Sequence, residues 1–320
     1  MPYAGTTWLL SFKYSISNDI VTKLKQSSKS ADNKIISDNL GISETLRNEI
    51  AVNTEIKTIK PISVHVPIHR TPINDNEFGH YLAGLIEGDG HFSSKQQLVI
   101  VFNSLDISLA YLIKKYIGYG NVRKVKDKNV VLLRIAAKEG IIRVVNLING
   151  KIRTKYKFDQ IISNILNHHS FSDFKKTIDL KLNLDNNLRN HWLAGFSDAD
   201  ANFQIKTINR KNKIEIRLNM KIYQKKDDIL ILIKKFLGGN IGYRKTQDIY
   251  YYDSTSFGSA KKVISYFDHF HLLSCKHVNY LKWRKAYLII QKKDHLNEKG
   301  INNIIKLKKN INKFNNITAI

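Results

Sequence analysis

The sequence predicts an α+β protein made of two similar half-domains. The stretch "HYLAGLIEGDGHF" at residues 80–92 recurs as "HWLAGFSDADANF" at residues 191–203, an offset of 111 residues, and such a repeat is typical of a duplicated structural unit. A second pair follows in the same order, since "LIKKYIGYGNV" at 112–122 is echoed by "LIKKFLGGNI" at 232–241. In each half the hydropathy pattern reads helix, two strands, helix, one or two strands, helix.

We expect four successive regions along the chain. Residues 1–74 are rich in Ser, Asn, Asp, Lys and Thr, which is typical of a poorly ordered leader; a small accessory subdomain is the alternative. The half-domains are predicted at residues 75–178 and 187–320, and residues 179–186 are the predicted linker between them.

The charge, apolar content and cysteine count of the chain indicate which kinds of partner and site to expect. The 52 Lys and Arg residues against 27 Asp and Glu residues leave a formal net charge of +25, which favours DNA or RNA over a ribosomal or membrane-surface role because the basic residues are spread through patterned segments. No stretch reaches the roughly 20 apolar residues of a membrane helix, so no membrane is expected as partner. The single cysteine, Cys275, excludes a disulfide framework within the chain and a zinc site built from several cysteines.

The predicted strands have one apolar and one polar face. They are "QQLVIVF" and "VVLLRIAA" in the first half, and "NFQIKTI" and "KIEIRLNMKIY" in the second. A polar strand face is by default a solvated one, but in a chain of this charge it also suits contacts with phosphates and base edges. The residues predicted to make these contacts are Lys95, Gln97, Gln204, Lys206, Arg210, Lys213, Arg217, Asn219 and Lys221.

The repeated stretch predicts two helices that pack closely on each other. In the first copy an apolar stripe at helical spacing comprises Phe78, Tyr81, Leu82, Leu85 and Ile86. Gly84 and Gly88 stand four apart on another stripe, where glycine costs about 0.5–1 kcal/mol relative to alanine. The second copy has Gly195 and Ala199 at the same positions, so small residues on both helices would allow their backbones to approach.

That packing would bring two acids together, Asp89 and Asp200, at the C-terminal ends of the helices. Two carboxylates at this negative end of the helix dipole repel each other unless a cation lies between them. A hard divalent ion such as Mg²⁺ would satisfy them and carry waters for hydrolysis of a phosphodiester. The alternative is that each acid only caps the loop that follows it.

The stretch "LAGLIEGDG" with its second copy "LAGFSDADA" resembles the paired signature of the LAGLIDADG homing endonucleases and their intron-encoded maturase relatives. The resemblance covers about residues 65–320 and is to single-chain organellar members. It implies a monomer of two αββαββα half-domains related by a pseudo-twofold axis, each placing a saddle-shaped antiparallel sheet in the DNA major groove. It also implies Mg²⁺-dependent cutting of both strands at a long quasi-palindromic intron-insertion site, leaving 3′ overhangs.

The resemblance implies roles for individual residues. Asp89 and Asp200, the last acids of the two motifs, would hold the metal, and the backbone of Gly88 and Ala199 could contribute. Mn²⁺ would substitute for Mg²⁺, and Ca²⁺ would occupy the site without catalysis.

Four further positions follow from the same resemblance. Glu87 and Asp198 occupy the earlier acidic position and would support the helix ends. Lys151, in "NGKIRTKY", and Lys276, in "LSCKHVNY", are the candidate catalytic lysines near the metal. The second motif departs from the pattern at Ala201, where glycine is usual, so its helix-to-strand turn is expected to differ.

A zinc or histidine-metal nuclease is disfavoured, because the clustered histidines lack the spacing of known metal motifs. They are His168, His169, His269, His271 and His277. The leading hypothesis is therefore a site-specific double-strand DNA endonuclease acting in mitochondria. The alternative is a maturase that binds its own group I intron RNA, with or without nuclease activity; a third hypothesis is a catalytically silent DNA-binding regulator.

Overall fold

The computed structural model describes residues 60–211 and 213–311. Within these residues two successive groups of elements each contain a four-stranded antiparallel sheet, so the predicted architecture of two αββαββα half-domains is confirmed. No helix in this described part combines the length and apolar character needed to cross a membrane. Of the leader predicted at residues 1–74, residues 1–59 lie outside the described part of the chain.

The N-terminal half-domain begins with the first copy of the repeat. Its elements are α1 (Asp75–Asp89), β1 (Gly90–Ser93), β2 (Gln97–Asn103), α2 (Ile107–Ile117), β3 (Asn121–Lys124), β4 (Val130–Ile135), α3 (Lys138–Ile148), α4 (Lys155–Ile161) and α5 (Ser172–Thr177). The strand order in the sheet is β1-β2-β4-β3. Asn74 caps α1 by accepting a hydrogen bond from the backbone of Glu77, which satisfies one of the free N–H groups of the first turn.

The C-terminal half-domain repeats this order. Its elements are α6 (Trp192–Asp200), β5 (Ala201–Arg210), β6 (Lys213–Gln224), α7 (Asp228–Leu237), β7 (Asn240–Arg244), β8 (Ile249–Asp253), α8 (Phe257–Phe267), α9 (Lys276–Gln291) and α10 (Glu298–Asn310). The strand order β5-β6-β8-β7 matches that of the first sheet. In β6 the side chains of Leu218, Met220 and Ile222 are buried, because alternate residues of a strand point to the same face.

Helices α1 and α6, the motif helices, pack backbone against backbone. A Cβ atom on Gly84 would lie 1.9 Å from the carbonyl oxygen of Trp192, and one on Gly195 would lie 1.9 Å from that of Tyr81. No side chain larger than hydrogen fits at either position. The two contacts are equivalent under the 111-residue repeat, so the helices cross about a pseudo-twofold axis.

Residues 62–73, here called the strap, lie within the predicted leader and contact the C-terminal half-domain. The side chain of Gln291 pairs with both backbone groups of Ile62, at 2.8 and 2.9 Å. The buried guanidinium of Arg284 donates to the carbonyl oxygen of His65 at 3.1 Å. The strap therefore joins the start of α1 to the far half of the molecule through specific hydrogen bonds.

Candidate functional site

The C-terminal ends of the motif helices meet, and both final acids lie there. A Cβ atom on Gly88 would lie 2.2 Å from the Cβ of Ala199 and 3.0 Å from Oδ2 of Asp200. Asp89 follows Gly88 directly, at the last position of α1. The close contact of small residues therefore places the carboxylates of Asp89 and Asp200 beside each other, half-buried at the junction.

The electrostatics of this junction disfavour two negative charges. Burial raises the pKa of both Asp89 and Asp200 above the ordinary carboxyl range, and at Asp89 the charge of Asp200 raises it further. Lys276 and Lys157 oppose this shift at both acids, and a hydrogen bond of 2.6 Å from Gln224 opposes it at Asp200. A site of this kind favours either a proton or a metal cation.

Two lysines flank the carboxylates, one from each half-domain. Nζ of Lys276 donates to the carbonyl oxygen of Ala199 at 2.5 Å and to that of Ser197 at 3.3 Å. Nζ of the buried Lys157 donates to the carbonyl oxygen of Gly90. Both ammonium groups therefore lie at the helix ends, where the peptide dipoles and the carboxylates are negative.

The structure corrects the expectation for Lys151. Its Cε atom lies 3.1 Å from where a Cβ on Gly79 would stand, and Gly79 is ten residues before Asp89 on the same helix. At 1.5 Å per residue this is about 15 Å from the carboxylates. Lys157, which directly follows the segment "NGKIRTKY" and is six residues after Lys151, is the lysine that reaches them.

The proposed backbone ligands have different surroundings. The carbonyl oxygen of Ala199 is already engaged by Lys276, so it has one lone pair fewer to offer. The contribution of the Gly88 backbone stays a prediction.

The sequence does not indicate Gln224, which lies at the end of β6. It contacts Asp200 because its strand ends beside α6.

Glu87 and Asp198 hold the two half-domains together. Trp192 of α6 donates through Nε1 to Glu87 of α1, and Tyr81 of α1 donates to Asp198 of α6 at 2.6 Å. Tyr81 and Trp192 are themselves 111 residues apart, so each helix supplies an aromatic donor to the acid of the other.

Each of these acids also accepts backbone hydrogen bonds from the loop before a lysine-bearing helix. Glu87 accepts from the N–H groups of Arg153 and Thr154, which precede α4. Asp198 accepts from those of Leu273 and Ser274, which precede α9. Burial raises the pKa of both acids, and these hydrogen bonds oppose the rise. The earlier acid of each motif therefore fixes the position of the neighbouring lysine.

Asp106 is a further buried acid that the sequence did not indicate. It lies in the N-terminal half-domain and accepts a hydrogen bond of 2.6 Å from the backbone of Cys275, directly before Lys276. Burial and this acid raise the pKa of the Cys275 thiol to about 12. The thiol therefore stays protonated, and Asp106 serves to anchor the start of α9.

The departure at Ala201 causes no distortion. Gly90 and Ala201 follow the two motif helices with similar extended backbones, at φ −96° and ψ 157° and at φ −79° and ψ 149°. A Cβ atom on Gly90 would nevertheless lie 2.8 Å from the Cα of Ile86, whereas the second turn holds the methyl group of Ala201. The two turns therefore differ in the room that they leave for a side chain, although both lead into their strands with an extended backbone.

The polar sheet faces contain most of the residues predicted to bind nucleic acid. Lys95, Arg210 and Arg217 are exposed, while Gln97, Gln204 and Lys206 are half-buried. The side chain of Lys213 lies outside what the structure describes.

Two of these residues are less accessible than expected. Asn219 and Lys221 are only 2% and 7% exposed, and both contact Asp253, at 3.0 and 3.1 Å. The paired strand β8 supplies this acid. The ammonium of Lys221 is thus neutralised within the protein, so these two side chains are expected to shape the sheet surface and not to bind phosphate directly.

The two sheet faces differ in character. The second carries a cationic and aromatic cluster in which the guanidinium of Arg244 lies 5.1 Å from the ring of Tyr223 and 5.7 Å from that of Tyr251. On the first sheet, Val101 pairs with Leu132, and both side chains are half-buried. The second surface suits phosphates and bases, while the first offers apolar contacts as well.

Comparison with known proteins gives matches that cover up to 97% of the chain. Residues 193–287 match the family model described as "LAGLIDADG endonuclease". A Schizosaccharomyces pombe protein called "Uncharacterized cox1 intron-2 37.2 kDa protein" is 62% identical, and the alignment covers 97% of each chain. The "Intron-encoded DNA endonuclease aI3" of Saccharomyces cerevisiae is 29% identical over 68% of this chain and 65% of its own length.

A solved structure has the same fold. It is described as "I-SmaMI bound to uncleaved DNA target in the presence of Calcium ions" and superposes with a TM-score of 0.57 at 21% identity. The superposition covers 75% of this chain and 99% of that one.

Proposed function

Because the chain belongs to the LAGLIDADG endonuclease family, we propose that it is a site-specific endonuclease that cuts both strands of DNA at an intron-insertion site. The observation that carries this proposal is the pair of carboxylates, Asp89 and Asp200, whose pKa values are raised and which two lysines flank. A catalytically silent DNA-binding protein would not need this arrangement, because adjacent ionised acids cost stability without aiding binding.

The donor set fits a hard divalent cation. The carboxylates of Asp89 and Asp200 supply only oxygen atoms, the ligands that Mg²⁺ prefers and that Mn²⁺ and Ca²⁺ also accept. When bound, Mg²⁺ would neutralise charge on the scissile phosphate and activate a water. Gln224 orients the carboxylate of Asp200 through its hydrogen bond.

Lys157 and Lys276 stabilise the charge that develops on the phosphate. Each ammonium is held by a backbone carbonyl next to a carboxylate, so it is positioned before the DNA arrives. The pseudo-twofold relation supplies one acid and one lysine for each DNA strand, which supports double-strand cutting by a single chain acting as a monomer. We propose 3′ overhangs on the resemblance to the family alone.

The sheets provide the surface for the DNA. The exposed side chain of Lys95 would neutralise a phosphate. Arg210 and Arg217 share the single acid Glu215 but, unlike Lys221, keep about half of their side chains exposed, so they would also contact phosphates and make binding steeply dependent on salt. Unequal sheet faces support a quasi-palindromic target, because the two half-sites would meet different side chains. We also propose a mitochondrial location, since the relative in S. pombe is named for a cox1 intron.

The proposal is tested on plasmid DNA carrying an intronless cox1 exon junction, which is the site implied by that relative's name. In Mg²⁺ the wild type should linearise this plasmid but not one in which the intron interrupts the junction. Single Asp89→Asn or Asp200→Asn substitutions should lower the double-strand cleavage rate at least about 100-fold, the scale of losing one essential charged group. Both variants should still bind the junction in Ca²⁺. Full cleavage by either variant would contradict the assignment.

The maturase alternative predicts a different result. Binding of group I intron RNA needs neither acid, so splicing assistance should survive both asparagine substitutions. Tight binding of the intron RNA, splicing that depends on the protein and no cutting of the junction would together replace the endonuclease proposal.

A further inference from the structure

His69 converges with two histidines about 200 residues later in the chain, His271 and His277, outside the carboxylate junction. His69 belongs to the strap, His271 to the loop before α9, and His277 to the first turn of α9. One ring nitrogen from each lies within 4.8 Å of the others. The ring of His69 is centred 4.3 Å from that of His277 and 5.2 Å from that of His271.

Two ring nitrogens of this group are buried without a partner among the described residues. Nδ1 of His271 and Nδ1 of His277 are buried and have no hydrogen-bond partner in the described part of the chain. A buried polar atom without a partner is costly unless something else binds it. The neighbouring acid Asp268 is already engaged, since it accepts hydrogen bonds from Arg284 and Tyr280.

The hydrogen bond of His69 leaves one of its ring nitrogens free to bind a metal. His69 pairs through Nε2 with the carbonyl oxygen of Leu272 at 2.8 Å, which makes Nε2 the donor and leaves the lone pair on Nδ1. A backbone carbonyl in this role is the usual support of a metal-binding histidine.

We propose that His69, His271 and His277 bind a zinc ion that fastens the strap to the start of α9. Three imidazoles suit Zn²⁺ and not Mg²⁺, which prefers oxygen ligands. For Zn–N bonds of about 2.0–2.1 Å in a tetrahedral site, the nitrogens must approach to about 3.4 Å. The two nitrogens that are farthest apart would have to move about 1.4 Å closer to each other. The side chain of His69 can rotate to allow this, because it is exposed.

The consequence would be structural. His271 lies two residues before Leu273, whose N–H holds Asp198, and His277 directly follows Lys276. A zinc ion here would tie residues far apart in the sequence to the loop that positions one side of the carboxylate junction. Its ligands are separate from Asp89 and Asp200, so zinc binding can be measured without the proposed cleavage reaction.

The test measures zinc directly. Purified full-length protein is stripped with chelator, given equimolar ZnCl₂, gel-filtered and analysed by mass spectrometry for zinc. We expect about one zinc per chain in the wild type and in the Asp89→Asn, Asp200→Asn double variant, because three histidines suffice for tight binding. The Co²⁺ form should show the visible absorption of a tetrahedral site.

His69→Gln is the decisive variant, because this exposed side chain is not part of the core. It should lose most of the bound zinc, and addition of zinc should no longer raise its unfolding temperature. The matched control is the His168→Gln, His169→Gln double variant. It removes a half-buried and an exposed histidine whose ring centroids are 4.2 Å apart, and it should bind zinc normally. A wild type without zinc, or full zinc in His69→Gln, would overturn the proposal.

Discussion

Replacing Asp89 with asparagine should stabilise the metal-free protein while it abolishes cleavage. Burial, and then the charge of Asp200, raise the pKa of Asp89 from 3.8 to about 7. Each pKa unit corresponds to about 1.36 kcal/mol, so the ionised carboxylate costs up to about 4 kcal/mol of folding free energy at pH 8. The asparagine amide brings N–H groups whose incomplete pairing costs about 1–3 kcal/mol. We therefore expect a net gain of about 1–3 kcal/mol at pH 8.

The sign of the pH dependence follows from the raised pKa. Below pH about 4 Asp89 is protonated in the folded and unfolded states alike, so its ionisation costs nothing there. As the pH rises from about 4 to about 7, the unfolded chain ionises before the folded one and the wild type loses stability. The advantage of Asp89→Asn should therefore grow across this range and stay constant above it.

The assay is urea unfolding in EDTA at pH 5 and pH 8, followed by tryptophan fluorescence. Asp173→Asn is the control, because it removes the same charge at a side chain that is 88% exposed and so corrects for the change in net charge. Added Mg²⁺ should stabilise the wild type more than Asp89→Asn, since ligand binding favours the folded state. A loss of stability in Asp89→Asn at pH 8, or an equal change in stability at both pH values, would refute the reasoning.

The remaining predictions concern the helix contact, the lysines and the sheet surface. Gly84→Ala should destabilise the protein by at least about 2 kcal/mol in urea unfolding, because its Cβ would lie 1.9 Å from a backbone oxygen of the partner helix; Gly258→Ala, which meets open space, should change stability by no more than about 1 kcal/mol. Lys157→Met should slow single-turnover cleavage at least about tenfold and leave DNA binding in Ca²⁺ unchanged. Lys151→Met, the control, should leave the cleavage rate unaltered. Equal cleavage rates for the two variants would refute the lysine assignment. Arg217→Ala should lower the slope of log Kd against log salt by about 1, as expected for one lost phosphate contact, and an unchanged slope would exclude that contact.

Much of the fold could be predicted because it depends on short-range patterns. The 111-residue repeat, the alternation along β6 and the glycine stops after α2 and α7 are visible within windows of a few residues. The same repeat placed Gly84 opposite Gly195. These features follow from the 3.6-residue and 2-residue periods of helix and strand.

The errors concern side chains whose surroundings come from distant parts of the chain. Lys151 and Lys157 stand in one basic segment, and only the packing of α4 against the end of α1 brings Lys157 to the carboxylates. Asn219 and Lys221 alternate like surface residues, yet Asp253 on a neighbouring strand covers them. Single-strand periodicity cannot show what lies across the sheet.

The sequence by itself determined the duplicated architecture, the pairing of Asp89 with Asp200 and the basic character of the sheets, because each is encoded in local spacing or in composition. Tertiary structure alone decided which lysines reach the acids and that His69 meets His271 and His277. The residues in these contacts are 67 to 208 positions apart, and which residues meet depends on how whole helices and loops pack. Periodicity specifies the face on which a residue lies, whereas only packing specifies what that face meets.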